Sequence, residues 1–147
     1  MPRGWKVTLQ IKPFGVTTGW SNVMHATIGK NIERYGDRAP GIWFLSKTTK
    51  LHICSAVNGN RNFCFNQRVG LPMNKYSIVT IQQIQKSQFG NLYYYQIIIN
   101  GKLVVNVQNN HPDVFYNIKY FSSDPWYHAG KASVRNFKVT TFKHKGI

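Results

Sequence analysis

Acidic side chains are almost missing from this sequence. Its 147 residues include 19 Lys and Arg but only four Asp and Glu, which gives a formal net charge of +15. Most cations therefore have no intramolecular partner, and their field attracts polyanions such as nucleic acid, sulfated glycan or an anionic membrane surface. High charge also keeps proteins soluble, but solubility does not require that one sign be depleted. The composition thus predicts a polyanionic partner, but it does not distinguish nucleic acid, sulfated glycan and anionic membrane from one another.

Helical patterns and long apolar runs are missing too. No apolar run approaches the roughly 20 residues of a membrane-spanning helix, and no stretch combines helix caps with a helical apolar stripe. The first residues lack the apolar core of a signal peptide, so we expect either a protein that does not use that route or a mature domain. A chain of 147 residues has the usual length of one domain and can bury a core without a metal or many disulfides.

Strand patterns, by contrast, occur from end to end. Apolar and polar residues alternate over residues 5–11 and again over 132–142, and strand-like runs cover 20–27, 41–45 and 76–85. No repeat, linker or break in composition divides the chain. We therefore predict a single all-β binding domain over residues 1–147, an antiparallel two-sheet sandwich of jelly-roll type with its first and last strands side by side.

Cys54 and Cys64 flank a predicted hairpin whose turn is Asn58-Gly59-Asn60. Asn and Gly tolerate the positive φ of tight hairpin turns. A turn centred on Gly59 places the two cysteines opposite each other, within disulfide reach. We predict a disulfide, which suits an oxidising compartment; the alternative is two reduced, buried thiols in a cytosolic sandwich. Neither the spacing nor the nearby histidines favours zinc.

A second hairpin is predicted at Asn100-Gly101, between strands 93–99 and 102–107. A two-residue turn pairs Ile99 with Lys102, and Ile97 with Val104. With the strand at 76–85, this hairpin forms a three-stranded meander.

The run from Tyr95 through Asn100-Gly101-Lys102 to Val104 resembles the strand, Asn-Gly-Lys, strand hairpin of laminin-G-like and pentraxin-like jelly rolls. Residues 134–139 are similar to the final strand of those domains, which pairs beside the first. The resemblance to this concanavalin A-like class spans most of the chain and implies a lectin-like sandwich. Galectins share the sandwich, but their His-x-Asn-x-Arg sugar motif is not found in this sequence.

Many members of the class hold calcium with acidic side chains, because this cation takes six to eight oxygen ligands. Four widely spread acids disfavour such a site here, and Asp124 with backbone carbonyls is the alternative. We expect no cofactor and no metal.

Catalysis is disfavoured for the same reason. A glycosidase needs two carboxylates across the scissile bond, and only Glu33 and Asp37 are close in sequence, among Arg34 and Arg38. That setting favours ion pairing, and no nucleophile motif accompanies any of the five histidines. We predict a protein that is not an enzyme.

Aromatic and turn residues are concentrated at 120–131, between two strand-like runs. Trp126 and Tyr127 have rings that stack on sugars or bases, and Asp124 and His128 offer directional hydrogen bonds. The alternative is a structural corner, in which Asp124 caps a turn and Trp126 closes one end of the core.

Loop cations are the other candidate ligand contacts, because exposed Arg and Lys bind sulfate or phosphate. Those in or near loops of the first half are Arg34, Arg38, Lys47, Lys50, Arg61 and Arg68.

We therefore predict an extracellular or secreted, lectin-like module that recognises glycans, in particular anionic or sulfated, heparin-like polysaccharide. A nucleic-acid-binding protein and a structural protein of a matrix or membrane surface are the alternatives. The cations are dispersed and no nucleic-acid-binding motif is present, which disfavours nucleic acid as the partner.

Overall fold

The computed structural model describes residues 1–29, 34–87 and 90–143, and in these ranges it contains eleven β-strands and no helix. No helix capable of crossing a bilayer is therefore found in the described part of the chain. The strands are β1 (Gly4–Pro13), β2 (Ser21–Thr27), β3 (Gly41–Phe44), β4 (Leu51–Val57), β5 (Asn60–Asn66), β6 (Ser77–Gln85), β7 (Tyr93–Ile99), β8 (Lys102–Asn109), β9 (Lys119–Phe121), β10 (His128–Ala129) and β11 (Ala132–Phe142).

Two sheets form the sandwich. Sheet A has five strands in the order β11-β1-β6-β7-β8, and sheet B has six, in the order β10-β2-β3-β4-β5 with β9 also paired to β2. Neighbouring strands are antiparallel except for β10, which runs parallel to β2. The first and last long strands, β1 and β11, pair along most of their length. The predicted all-β sandwich, with its terminal strands adjacent, is confirmed.

The core lies between the sheets because alternate side chains of each strand point inward. In β1 the residues Trp5, Val7, Leu9 and Ile11 are buried, whereas the residues between them are partly exposed. Each such apolar side chain contributes about 1.5–3 kcal/mol when fully buried. The same alternation in β7 sends Tyr93 and Tyr95 inward and Tyr94 outward.

The first predicted hairpin is confirmed. Asn58 and Gly59 both have positive φ, 53° and 75°, and form the turn between β4 and β5. Cys54 pairs directly with Cys64 across the hairpin, and a disulfide joins them with a Cα–Cα distance of 4.1 Å.

The second hairpin has the predicted turn but a shifted register. Ile99 pairs with Lys102 as expected, whereas Ile97 pairs with Val105 and not with Val104. The partner of Ile98 is Leu103, so Val104 is an extra residue in β8 that has no partner of its own. The pairing predicted for Ile97 is wrong because of this β-bulge, which a count of residues from the turn does not reveal.

Two short strands, β9 and β10, were not predicted. They contain three and two residues, too few to show an alternating pattern. Both pair with β2, and they anchor the two ends of the segment 122–127 beside sheet B.

Candidate functional site

The outer face of sheet B carries a group of rings, most of which have polar edges. Ile42 and Phe44 of β3 pack into the core, so Trp43 points outward, beside His25 of β2 and His52 of β4. Gly41 makes room for this arrangement, because a Cβ at this position would lie 2.1 Å from Cη2 of Trp43. Trp43 is nevertheless only 3% exposed. Another part of the chain must therefore cover it.

That cover is the segment 122–127 between β9 and β10. Oδ1 of Asp124 accepts hydrogen bonds from the backbone N–H groups of Trp126, at 2.8 Å, and Tyr127, at 2.7 Å. Oδ2 of Asp124 accepts a hydrogen bond from Nε1 of Trp43. One carboxylate thus shapes the turn and ties it to the sheet. The turn-capping role expected for Asp124 is present, but Trp126 lies against the outer face of sheet B and is 37% exposed, so it does not close the core.

The rings contact one another in a continuous group. Trp20 lies parallel to Tyr127 at a centroid distance of 5.9 Å and edge-on to His52 at 4.6 Å. Trp126 lies 5.4 Å from His25, and such pairs contribute about 0.5–1.5 kcal/mol beyond burial. We call this group the aromatic cluster; its members are Trp20, His25, Trp43, His52, Trp126 and Tyr127.

Arg38 adds positive charge to the aromatic cluster. Its guanidinium carbon lies 5.7 Å from the ring centroid of Trp43 and 5.0 Å from that of Trp126, both within the range of cation–π attraction. Within the described ranges, the contacts of this guanidinium are with rings and not with a carboxylate. Its donors are therefore available to an external acceptor.

Burial favours the neutral form of both histidines. Burial lowers the pKa of His25, against the opposing effect of the Asp37 carbonyl, which accepts a hydrogen bond from Nε2. Burial also lowers the pKa of His52, whose Nδ1 donates to Oδ1 of Asn66. Nε2 of His52 lies 3.0 Å from Sγ of Cys54. Arg38 supplies a permanent positive charge at the cluster.

A cleft of about 280 Å³ opens beside the cluster. This volume lies just below the roughly 300 Å³ at which small-molecule pockets begin, and it suits one small polar group such as a sugar ring. Its lining combines an imidazole, hydroxyls, a carboxylate and an ammonium group, and includes His25, Thr27, Lys119, Phe121, Ser123 and Asp124.

The structure brings together only some of the predicted site residues. Arg38, Asp124, Trp126 and Tyr127 meet at the aromatic cluster, and the exposed His128 follows in β10, where it pairs with Ser21.

The remaining predicted cations are divided between the two ends of sheet B. Lys47, Lys50 and Arg68 lie at the end where Phe44 pairs with Leu51. Arg61 lies at the opposite end, beside the Asn58-Gly59 turn. Arg34 lies in the loop before β3, where its backbone N–H donates to Oδ2 of Asp37 at 2.7 Å. Glu33 falls outside the described residues.

Trp20, His25, Trp43 and His52 were missed as site residues. A signal for two of them exists in the sequence. The Cys54–Cys64 pairing places His52 on the face of β4 that holds the cysteines, and Trp43 of β3 pairs with His52 and shares that face. His25 reaches the same face through a register shift between Asn22 and Met24, which alternation along β2 does not reveal.

Metal ligation is not supported by the donors that are present. Among the described residues, the one group with ligand atoms within 4.8 Å of one another is His52, Cys54 and Cys64. Both sulfurs belong to the disulfide, and a metal requires thiolates. Both oxygens of Asp124 already accept hydrogen bonds, which disfavours the calcium alternative.

No protein-family model and no curated protein matches the chain. Solved structures do match it. The SAP-like pentraxin of Limulus polyphemus is 9% identical with a TM-score of 0.51, over 97% of this chain and 67% of the pentraxin. The binding domain of botulinum neurotoxin DC, in complex with SialylT, is 18% identical with a TM-score of 0.60, over 99% of this chain but 34% of that domain. Sheep galectin-11, in complex with glycerol, is 10% identical with a TM-score of 0.53, over 95% of this chain and 92% of the galectin.

These likenesses define the class of fold. The chain is a concanavalin A-like jelly roll, as its element order indicated. It spans about a third of the toxin domain and nearly the whole galectin.

Proposed function

We propose that this protein is a lectin-like, non-catalytic module that binds glycans at the aromatic cluster and its adjacent cleft, with a preference for anionic sugars. The observation that carries the proposal is the anchoring of Trp126 and Tyr127 by Asp124, which holds two half-exposed rings beside a polar cleft. Sugars have apolar C–H faces that pack on such rings and hydroxyls that bond to the neighbouring polar groups.

Arg38 supports the preference for anionic sugars. Its guanidinium lies on the ring of Trp126 and has donors suited to bidentate contact with a carboxylate or sulfate. A sugar stacked on Trp126 brings its acidic substituent within reach of this side chain. Two proteins of similar fold interact with glycans or glycolipids. One toxin domain is bound to SialylT, and botulinum neurotoxin type C depends on two ganglioside molecules for cell entry.

The disulfide supports an extracellular location, because such bonds persist in oxidising compartments. We accordingly propose that the glycans are those of cell surfaces or extracellular matrix.

The test is a glycan array that contains matched neutral and anionic members, for example sialylated and desialylated forms of one oligosaccharide. Trp126→Ala is expected to lower binding to both forms at least tenfold. Tyr116→Ala removes an aromatic side chain that is 76% exposed and lies outside the cluster, so it is the matched control and retains binding.

Arg38→Gln is expected to reduce binding of the anionic form alone, with Arg68→Gln as the control for the loss of one charge. A folded Trp126→Ala variant with wild-type glycan binding would overturn the proposal. Preferential binding of single-stranded nucleic acid in a parallel shift assay would favour the nucleic-acid alternative.

A further inference from the structure

Sheet A contains no acidic residue in any of its strands. β1, β8 and β11 contain Lys or Arg, β6 and β7 contain neither, and none of the five strands contains Asp or Glu. The described acids, Asp37, Asp113 and Asp124, all lie in loops. The outer face of this sheet is on the opposite side of the sandwich from the aromatic cluster. It therefore has a positive field that no acidic side chain of the same sheet offsets.

The cations of this face form a row on β1 and β11. Val7, Leu9 and Ile11 point into the core, so Lys6 and Lys12 point outward. On β11, Lys138 pairs with Thr8 of β1, and paired residues share a face. Arg135 pairs with Gln10, and its Nε donates to Oε1 of Gln10 at 2.7 Å, which places it on the same face.

The row has the length of a short oligosaccharide. Six steps separate Lys6 from Lys12 along β1, and at about 3.3 Å per residue they span about 20 Å. Between them, Thr8 and Gln10 offer hydrogen bonds. The neighbouring strands add a hydrogen-bonded series of amides, since Nε2 of Gln82 donates to Gln96 at 2.7 Å, and Nε2 of Gln96 donates to Asn106 at 3.1 Å. They also add apolar surface, because Ile78 pairs with Gln10 and is 48% exposed.

We propose that the outer face of sheet A along β1 and β11 is a second binding site, which takes a linear sulfated polysaccharide independently of the aromatic cluster. The four cations of the site, Lys6, Lys12, Arg135 and Lys138, contact successive sulfate or carboxylate groups, and Thr8 and Gln10 bond to the sugar units between them. The loop cations at the ends of sheet B are outside this site.

The surface suits a polysaccharide better than a nucleic acid. Binding of single strands uses ring faces on which bases stack. Tyr76 is the ring beside the row, and its face is covered by the Arg135 guanidinium at 3.6 Å, with Nζ of Lys12 at 5.0 Å. Cations and hydrogen-bonding side chains remain, and sulfated sugars need no more than these.

The experiment measures the affinity of the intact chain for a size-defined heparin oligosaccharide at several NaCl concentrations. Lys6→Gln/Lys138→Gln removes two cations of the row without touching the Tyr76 contacts. Lys47→Gln/Arg68→Gln makes the same charge change among the loop cations and is the matched control. Each contact that is lost means about one counterion fewer released on binding. The slope of the logarithm of the binding constant against the logarithm of the NaCl concentration is therefore expected to be smaller in magnitude by roughly 1.5–2 in the row variant. The control keeps the wild-type slope, and both variants keep the wild-type thermal midpoint.

Equal losses in the two double variants would overturn the site, because net charge alone would then explain binding. Wild-type affinity in the row variant would overturn it as well. Single-stranded DNA is tested in the same way. If it binds as tightly as heparin, and the row variant weakens both interactions equally, the face is a nucleic-acid site. Binding of a neutral glycan is measured in parallel, because it tests the aromatic cluster and not sheet A. If the row variant still binds the neutral glycan, a negative heparin result contradicts only the site on sheet A. If the wild type does not bind the neutral glycan, the result contradicts the proposed function at the aromatic cluster.

Discussion

The carboxylate of Asp124 accepts a hydrogen bond from the indole nitrogen of Trp43, a residue 81 positions earlier in the chain. The same carboxylate caps the turn that presents Trp126 and Tyr127. Asp124 therefore links the exposed rings of the proposed glycan site to the buried Trp43 of sheet B. The position of these rings depends on this one carboxylate.

Asp124→Asn tests this link. The remaining amide oxygen can still cap the turn, but the amide nitrogen cannot accept from Nε1 of Trp43. We expect a loss of about 1–3 kcal/mol in unfolding free energy and weaker glycan binding, measured by urea unfolding and titration. Asp113→Asn makes the same charge change at an exposed loop acid and is the control. Equal behaviour of the two variants would contradict the account.

Gly41→Ala is expected to destabilise the fold. The new methyl group would lie 2.1 Å from Cη2 of Trp43, so the buried ring must move. Overpacking of this kind costs about 1–3 kcal/mol. At Gly19 an added Cβ meets nothing within 4 Å, so Gly19→Ala is the control and keeps the wild-type denaturation midpoint. A stable Gly41→Ala variant with unchanged near-UV circular dichroism would show that Trp43 is not confined there.

Loss of the Cys54–Cys64 disulfide is expected to lower the unfolding free energy by about 2–3 kcal/mol, because the bond closes a short loop, with a sequence separation of 10. Denaturant curves of the double Cys→Ser variant and of the reduced wild type are expected to agree. Non-reducing peptide mapping checks the bond itself. Recovery of both thiols free, from protein made in an oxidising compartment, is the opposing result.

Acidification is expected to destabilise the protein through the buried His25 and the partly buried His52. Burial lowers the pKa of His25 and of His52 in the folded state, so below about pH 6.5 the unfolded chain binds more protons than the folded one. Their contribution is complete above the unfolded pKa and is lost as pH falls toward the folded pKa. The slope is at most about 1.4 kcal/mol per pH unit for each histidine.

Urea unfolding at pH 7.5 and pH 5.0 measures this effect. His25→Gln keeps a donor for the Asp37 carbonyl and is expected to reduce the difference between the two conditions. His111→Gln serves as the control because its side chain is exposed in the folded protein. An unchanged pH dependence in His25→Gln would contradict the prediction.

The sandwich could be predicted because its signals are local. Alternation over residues 132–142 matches the bounds of β11, and the Asn58-Gly59 turn with two flanking cysteines set the register of β4 and β5. The bulge at Val104 could not be predicted, because Asn100-Gly101 sets the register only for the first pair.

The candidate site was less accessible from the sequence. Its aromatic segment was recognised, but its place over Trp43 depends on β9 and β10, which pair with a strand about 100 positions away and are too short to show a pattern. The loop cations were grouped because they fall in or near loops of the first half of the chain. Hairpin geometry separates them, since successive turns lie at opposite ends of a sheet, and only Arg38 reaches the cluster.

The most direct test of glycan binding at the aromatic cluster uses the indole N–H signals in a ¹⁵N–¹H correlation spectrum. The chain has four tryptophans. Trp20, Trp43 and Trp126 belong to the cluster, whereas Trp5 is 4% exposed in the core and serves as an internal reference. On titration with a sialylated oligosaccharide, we predict saturable shifts of the three cluster signals, largest for Trp126, with the Trp5 signal unmoved. Four unmoved indole signals at a ligand concentration that saturates binding would contradict the account.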